Sequence, residues 1–284
     1  MEKAIEEFAD YLYYREKSEA TIESYKSNLK VFNKYLEKKF NCKVEVDVID
    51  EEELTDFLNY KKEQGCTPST RNKYLFVFRS FFTFTEKKEI TEENYAKDIK
   101  PVKTRDKSRT HLTREEVEEL AESIDHEIVR YAVYTAFYTG LRPSELLDLK
   151  IEDVDFHSEK INVIKGKGNK DRVIPMASEL KKLLEEYLEE IRPDTESEKL
   201  FASYQSGSMS HQFFNRKIGE AVEKLGWKKD VSAHVLRHSF ASRLVEKDVS
   251  VEKIRRLLGH SSLRMTNVYL STNPEALRDA VDKL

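Results

Sequence analysis

Apolar residues in this chain return every three or four positions along most of its length, and the pattern changes in one place. In "TIESYKSNLKVFNKYLEKK", Ile22, Tyr25, Leu29, Phe32 and Leu36 fall on one side of a 3.6-residue repeat, and Ile5, Phe8, Ala9 and Leu12 do the same in "IEEFADYLYY". The exception is "KINVIKGKGNKDRVIPM", where the runs Ile161–Ile164 and Arg172–Ile174 flank a glycine-bearing turn and read as a β-hairpin. The spacing predicts a mainly α protein with a small β-hairpin or sheet, an α+β chain in two domains.

Four helices account for residues 1–90, a compact helical domain. The second runs near Thr21–Lys39, the third over Glu51–Gln64 until Gly65 stops it. Thr67 then serves as N-cap with Pro68 in the first helical position, which proline tolerates because the N–H it lacks has no partner there anyway. Residues 91–110 lack a period, contain Pro101 and carry the basic run "KPVKTRDKSR"; they read as a linker. Residues 111–284 form a second, mostly helical domain that includes the hairpin. No internal repeat stands out.

With 39% hydrophobic residues in 284, burying a sizeable core is within reach. No apolar run reaches the length of a membrane span, and "MEKAIEEFADYLYYREK" is acidic and amphipathic, unlike a secretory signal. Cys42 and Cys66 lack metal-ligand spacing and suit a reducing compartment. Lys and Glu dominate the charged residues while Gln occurs three times, a bias that resembles hyperthermophile composition. A net charge of −4 argues mildly against a nucleic-acid partner, but the distribution of charge matters more than its sum. Lys100, Lys103, Arg105, Lys107 and Arg109 face a single Asp106 in the linker, a cluster that fits either a solvated loop or a phosphate backbone.

Four segments hold residues able to do chemistry. In "YTGLRPSELLDL", Gly140 ends one helix and Pro143 begins the next, so Arg142 stands at a helix mouth beside free N–H groups, a corner suited to an anion. An ion pair with Glu145 explains the same arginine. In "KGKGNKDR", Gly166 and Gly168 let the chain bend so that Lys167 projects from the hairpin tip. In "SAHVLRHSFASRL", His234, Arg237, His238 and Ala241 share one helical side, and Leu236, Phe240 and Leu244 the neighbouring one. Such a helix is buried along a stripe and holds its charges over something specific. The i, i+4 pair His234 and His238 could suggest zinc, but Val235 breaks the HExxH pattern and no cysteine lies nearby, so no metal is expected. In "VSVEKIRRLLGHSSLRMTNVYL", Ser250 is a fair N-cap, Leu257 and Leu258 face inward, and Gly259 stops the helix directly before His260. Tyr269 follows nine residues later, in a short helix.

Taken singly, each residue has a structural explanation. Taken together, two guanidiniums, an ammonium, two imidazoles and a phenol suit a phosphodiester attacked by tyrosine, with fixed donors meeting the charge that develops on its oxygens. Two arginine forks hold phosphate oxygens in fixed geometry, which lysine does less well.

In this order, "TGLRPSEL", "GKGNKDR", "HVLRHSFAS" and "LLGHSSLRMTNVY" resemble the sequence boxes of the tyrosine recombinase (phage-integrase) family. The resemblance covers nearly the whole chain. The first four helices resemble that family's core-binding domain, and the length is similar to that of the compact Xer subgroup, its archaeal members above all. The resemblance implies that Tyr269 attacks the DNA backbone to form a 3′-phosphotyrosyl link, that Arg142 and Arg237 clamp the phosphate, and that His260 adds a hydrogen bond. It further implies that His234 assists proton transfer, that Lys167 protonates the leaving 5′ oxygen, that Glu145 orients the site, and that His238 is structural. No cofactor is implied, neither ATP nor metal.

The implied partner is double-stranded DNA bearing a specific recombination site, bound by a homo-tetramer on two duplexes, in the cytoplasm with the nucleoid and away from membranes. Chromosome dimer resolution at a dif-like site is the expected role; an integrase of a mobile element, or a DNA-binding protein that no longer cuts, are the alternatives. Lys26, Lys30, Arg71 and Arg79 in the first domain, with Lys103 and Arg105 in the linker, are the candidates for DNA contacts. The tail "LSTNPEALRDAVDKL" has an amphipathic segment (Ala276, Leu277, Ala280, Val281) that docks on a neighbouring protomer or on its own domain. Two positions depart from the family pattern: Ala233 stands where proline is frequent, and Met265 replaces a small polar residue.

Overall fold

The computed structural model describes residues 1–104, 110–164, 171–203 and 207–260; Arg105, Lys167, Tyr269 and the tail lie outside the described residues. The chain divides into two units, Met1–Asp106 and Lys107–Leu284.

The first unit holds α1 (Glu2–Tyr14), α2 (Glu19–Phe40), α3 (Glu51–Glu63) and α4 (Pro68–Lys87). Their starts follow from side chains that replace missing helical partners. The Ser18 hydroxyl accepts from the Thr21 N–H, Thr67 does the same for Thr70, and Asp50 forms a capping box with Glu53. The core is aromatic: Phe8, Phe32, Phe57, Phe78 and Phe81 are fully buried, and the Phe32 ring lies 4.7 Å from Phe78 and 5.0 Å from Phe57.

The stretch expected to be a linker belongs, up to Val102, to this first unit. Asn94 donates through Nδ2 to the Arg79 carbonyl (3.0 Å) and to the Thr83 hydroxyl (2.8 Å). Asn72 bonds both the N–H and the carbonyl of Val102, each at 2.8 Å. These ties are polar, so a search for apolar periodicity passes over them.

The second unit contains α5 (Arg114–Ser123), α6 (Glu127–Thr139), α7 (Pro143–Asp148), β1 (Val154–Asp155), β2 (Lys160–Val163), β3 (Arg172–Pro175), α8 (Ser178–Glu186), α9 (His211–Lys224), α10 (Ala233–Glu246) and α11 (Val251–Leu258). The three strands form an antiparallel sheet in the order β1-β2-β3, with Ile161 opposite Ile174 and Val163 opposite Arg172. The hairpin expected from the sequence is therefore widened by one short strand. Helix α6 is buried on nearly every side, through Ile128, Val129, Ala132, Val133, Ala136 and Phe137. Among the described residues no helix is long and apolar enough to cross a membrane.

Helix α10 departs from its expected division into a buried stripe and a charged face. Val235, Leu236, Arg237, Ser239 and Ala241 are all buried, whereas Phe240 and Leu244 are half-buried against a small cluster of Ala241, Val245, Ile254 and Leu258. The helix packs on α6, α9 and α11, so burial wraps around it and takes in Arg237. His234 remains exposed.

Candidate active site

The site begins at the end of α6. Gly140 has φ 62°, and a Cβ there would lie 2.3 Å from Phe240 Cδ1, so both the backbone conformation and the available space require glycine. Two residues on, Arg142 has φ −66° and ψ 149°, the extended conformation that a following proline imposes. Its N–H donates to Glu145 Oε2 at 2.9 Å and its Nη1 to Glu145 Oε1 at 2.7 Å. The guanidinium and the first turn of α7 thus share one carboxylate.

The end of α11 supplies the other half. The last carbonyls of a helix lack intrahelical partners and form the negative pole of its dipole. Here four consecutive carbonyls each receive an arginine. Leu257 accepts from Arg172 Nε (2.8 Å), Leu258 from Arg237 Nη2 (2.8 Å), Gly259 from Arg142 Nη2 (3.0 Å), and His260 from Arg255 Nη1 (3.1 Å). Arg237 also donates through Nη1 to the Gly140 carbonyl at 2.8 Å. With 5% of its surface exposed, Arg237 is fastened between the ends of α6 and α11. Gly259, in the left-handed conformation, then turns the chain so that His260 is buried.

Electrostatics follow from this crowding. Burial, followed by the positive charges of Arg237, Arg142 and Arg172, pushes His260 down to about 4, so its imidazole is neutral at pH 7. Burial alone would raise the Glu145 carboxyl, but hydrogen bonds from Arg172 and from the Arg142 N–H prevail and hold it at about 2. His234, though exposed, is partly shielded from water and is also shifted toward its neutral form, first by that partial desolvation, then by His211 and Arg237. Its ring centroid lies 6.4 Å from that of His211.

The Ala233 N–H, at the first position of α10, donates to Asn215 Oδ1 at 3.0 Å. Ser232, the N-cap of α10, makes no capping bond through its side chain, so Asn215 of α9 serves that helix start from outside. Asn215 also donates through Nδ2 to the His211 carbonyl at 3.1 Å within α9, so its bond to Ala233 ties the anchored start of α9 to the helix carrying His234 and Arg237.

Of the residues singled out in the sequence, the fold brings together Arg142, Glu145, Arg237, His238 and His260, with His234 one turn before Arg237 on α10. Fixed guanidiniums beside neutral imidazoles make a corner that can receive an oxyanion and hold it in one orientation. Lys167 and Tyr269 lie outside the described residues. Among the described residues no group of three His, Cys, Asp or Glu could hold a metal ion.

The candidates for DNA contacts fare unevenly. Lys26 and Lys30 both reach Glu6, at 2.7 and 3.6 Å. Arg79 was expected at a DNA surface, but its Nε donates to the Ala96 carbonyl (3.1 Å) and its Nη2 to that of Ile99 (2.6 Å), so it acts as a brace inside the first unit. Arg71 is half-buried and Lys103 is exposed.

Sequence reasoning missed Arg172. Its side chain is 8% exposed and grips Glu145 with two prongs, Nη1 to Oε1 at 3.0 Å and Nη2 to Oε2 at 2.7 Å. A signal was present. Alternation along β3 puts Arg172 on the same face as Ile174, which is buried, and opposite to Val173, which is exposed. An arginine on the inward face of a strand needs an anion.

The phage integrase family model matches residues 110–276, and the family's N-terminal SAM-like domain matches residues 5–89. The chain belongs to the phage integrase family. It is thus a tyrosine recombinase, an enzyme that cuts and rejoins DNA, and it is similar to the Xer-type members. A tyrosine recombinase of Thermosipho africanus is 33% identical, with all of both chains covered. Tyrosine recombinase XerA of Pyrococcus furiosus is 33% identical over 99% of this chain and 93% of its own. Among solved structures, the XerH site-specific recombinase bound to palindromic difH substrate is 28% identical, with a TM-score of 0.73 over 94% of this chain and 80% of its own.

Proposed function

We propose that this tyrosine recombinase acts at a specific duplex DNA site, with Tyr269 as nucleophile and Arg142 and Arg237 as the phosphate clamp. The Tyr269 phenol oxygen attacks the scissile phosphorus, a 3′-phosphotyrosyl ester forms, and the bond to the 5′ oxygen breaks. His234 accepts the phenolic proton, for which its neutral form is the required state. Lys167 protonates the departing 5′ oxygen, and His260 donates a hydrogen bond to a non-bridging oxygen. The ester conserves the energy of the broken bond, so rejoining is the same reaction in reverse.

The observation that carries this reading is the meeting of Arg142 and Arg237 on adjacent carbonyls beside His260. Similarity to XerA and to XerH bound to a difH substrate supports a dif-like chromosomal site and chromosome dimer resolution as the role, in a cytoplasmic homo-tetramer that joins two duplexes. Lys103, Arg105 and Arg71 are the DNA contacts we retain from the linker and the first unit.

A nicked suicide substrate carrying the cognate site tests the chemistry. Wild-type protein is expected to accumulate a covalent protein–DNA adduct, and Tyr269→Phe to form none. Equal adduct from both would discard the assignment. Mapping binding sites along the chromosome tests the role, with a single terminus-proximal site expected.

A further inference from the structure

We propose that Arg172 is a positioning residue of this active site: it neutralises Glu145, so that Arg142 keeps its charge for the scissile phosphate. The inference rests on the reading above, in which Arg142 and Arg237 meet that phosphate.

Glu145 is nearly buried and holds its charge at neutral pH, and both of its oxygens are engaged by two arginines at once. The grip of Arg172 is the fuller one, a parallel two-pronged pair. Arg142 reaches the same carboxylate with one guanidinium nitrogen and with its backbone N–H. Remove Arg172, and among the described residues the countercharge that stays on Glu145 is Arg142, already 2.7 Å from Oε1. The carboxylate would then draw the Arg142 guanidinium onto itself and cancel it.

Charge balance points the same way. Arg142, Arg172 and Arg237 with Glu145 and a neutral His260 carry a formal charge of plus two. A phosphodiester carries one negative charge and gains a second as tyrosine adds to it, so each guanidinium charge left unneutralised favours the transition state over the ground state. Without Arg172, Glu145 would offset part of that charge. Arg172 also holds the Leu257 carbonyl, next to the carbonyls that Arg237 and Arg142 use, so its loss would unsettle the same helix end.

The test compares two substrates. In a methylphosphonate, methyl replaces one non-bridging oxygen, so the scissile group is neutral and needs no clamp. The readout is the single-turnover rate of adduct formation by wild type, Arg142→Met and Arg172→Met on the ordinary phosphate and on the methylphosphonate. On phosphate, Arg172→Met should be slower by about 100-fold, the scale of losing one preorganised donor. On methylphosphonate it should come within about tenfold of wild type, as should Arg142→Met, a span equal to one decade of rate. A variant that is merely misfolded would fail on both substrates.

If Arg172→Met does not fold, Arg172→Gln, which keeps a donor for Leu257 but no charge, is read in the same way. Recovery of Arg142→Met but not of the Arg172 variant overturns the proposal and leaves the clamp standing. Wild-type rates for the Arg172 variant on phosphate overturn it too. Failure of wild type to form adduct on phosphate overturns the underlying reading instead.

Discussion

Arg142 and Arg237 donate to the neighbouring carbonyls of Gly259 and Leu258, at 3.0 and 2.8 Å. Two guanidiniums brought this close would repel one another in isolation. The negative pole of α11, together with Glu145 and the Gly140 carbonyl, offsets that repulsion before any DNA arrives. The pair proposed as the clamp is therefore held in place within the folded unit, and its parts answer to substitution in different ways.

Arg237→Lys keeps the charge but cannot span two carbonyls. One of Gly140 and Leu258 then loses its donor, and the ammonium sits as a point charge. Adduct formation should fall by about 100-fold or more, the usual scale for a displaced preorganised donor, while binding to cognate DNA in a gel-shift assay changes much less.

Gly140→Ala meets Phe240 and forces an alanine into positive φ. Overpacking of a tight site commonly costs about 1–3 kcal/mol, and the backbone strain adds to it. Urea unfolding should show that loss. Activity should fall further than stability accounts for, because the Gly140 carbonyl is also an anchor of Arg237.

His260 gives a pH signature. Its folded value of about 4 lies below the ordinary 6.5, so between these values the unfolded chain binds a proton that the folded one refuses. Stability is therefore full above pH 6.5 and declines as pH falls toward 4. In His260→Asn this part of the decline should vanish. Urea midpoints at pH 7.5 and 5.0 measure it, and an unchanged difference between the two proteins would refute the assignment.

Arg79→Ala separates a brace from a DNA contact. If its bonds to Ala96 and Ile99 are its main work, the first unit should lose about 1–3 kcal/mol, the cost of leaving buried acceptors unpaired. DNA affinity, measured well below the new melting temperature, should hold. Weaker binding with unchanged melting would reverse that conclusion.

The helices and the hairpin were legible because apolar period and capping residues are local signals. Thr67 with Pro68 marks the start of α4, and Gly140 and Gly259 mark the ends of α6 and α11. The order of the charged residues along the chain was legible for the same reason. What sequence could not give was partnership. That Arg237 is buried, that Arg79 turns inward, and that Arg172 faces Glu145 all depend on contacts across tens of residues, which no local pattern encodes. Beyond residue 90 no helical period shows, because Ala96, Tyr95 and Ile99 pack on the first unit singly while Asn72, Asn94 and Arg79 tie down the backbone, contacts that no local pattern reveals.

The bond from the Ala233 N–H to Asn215 ties the fates of two distant positions. Proline at position 233 would have no N–H to give, yet would suit the first turn of a helix. A lineage that acquired it would release residue 215 from duty and let that position drift. One that retains alanine must keep an acceptor there. Replacing Asn215 should therefore hurt in the present background and be nearly silent after Ala233→Pro, so the order in which the two changes occur decides which path evolution can take.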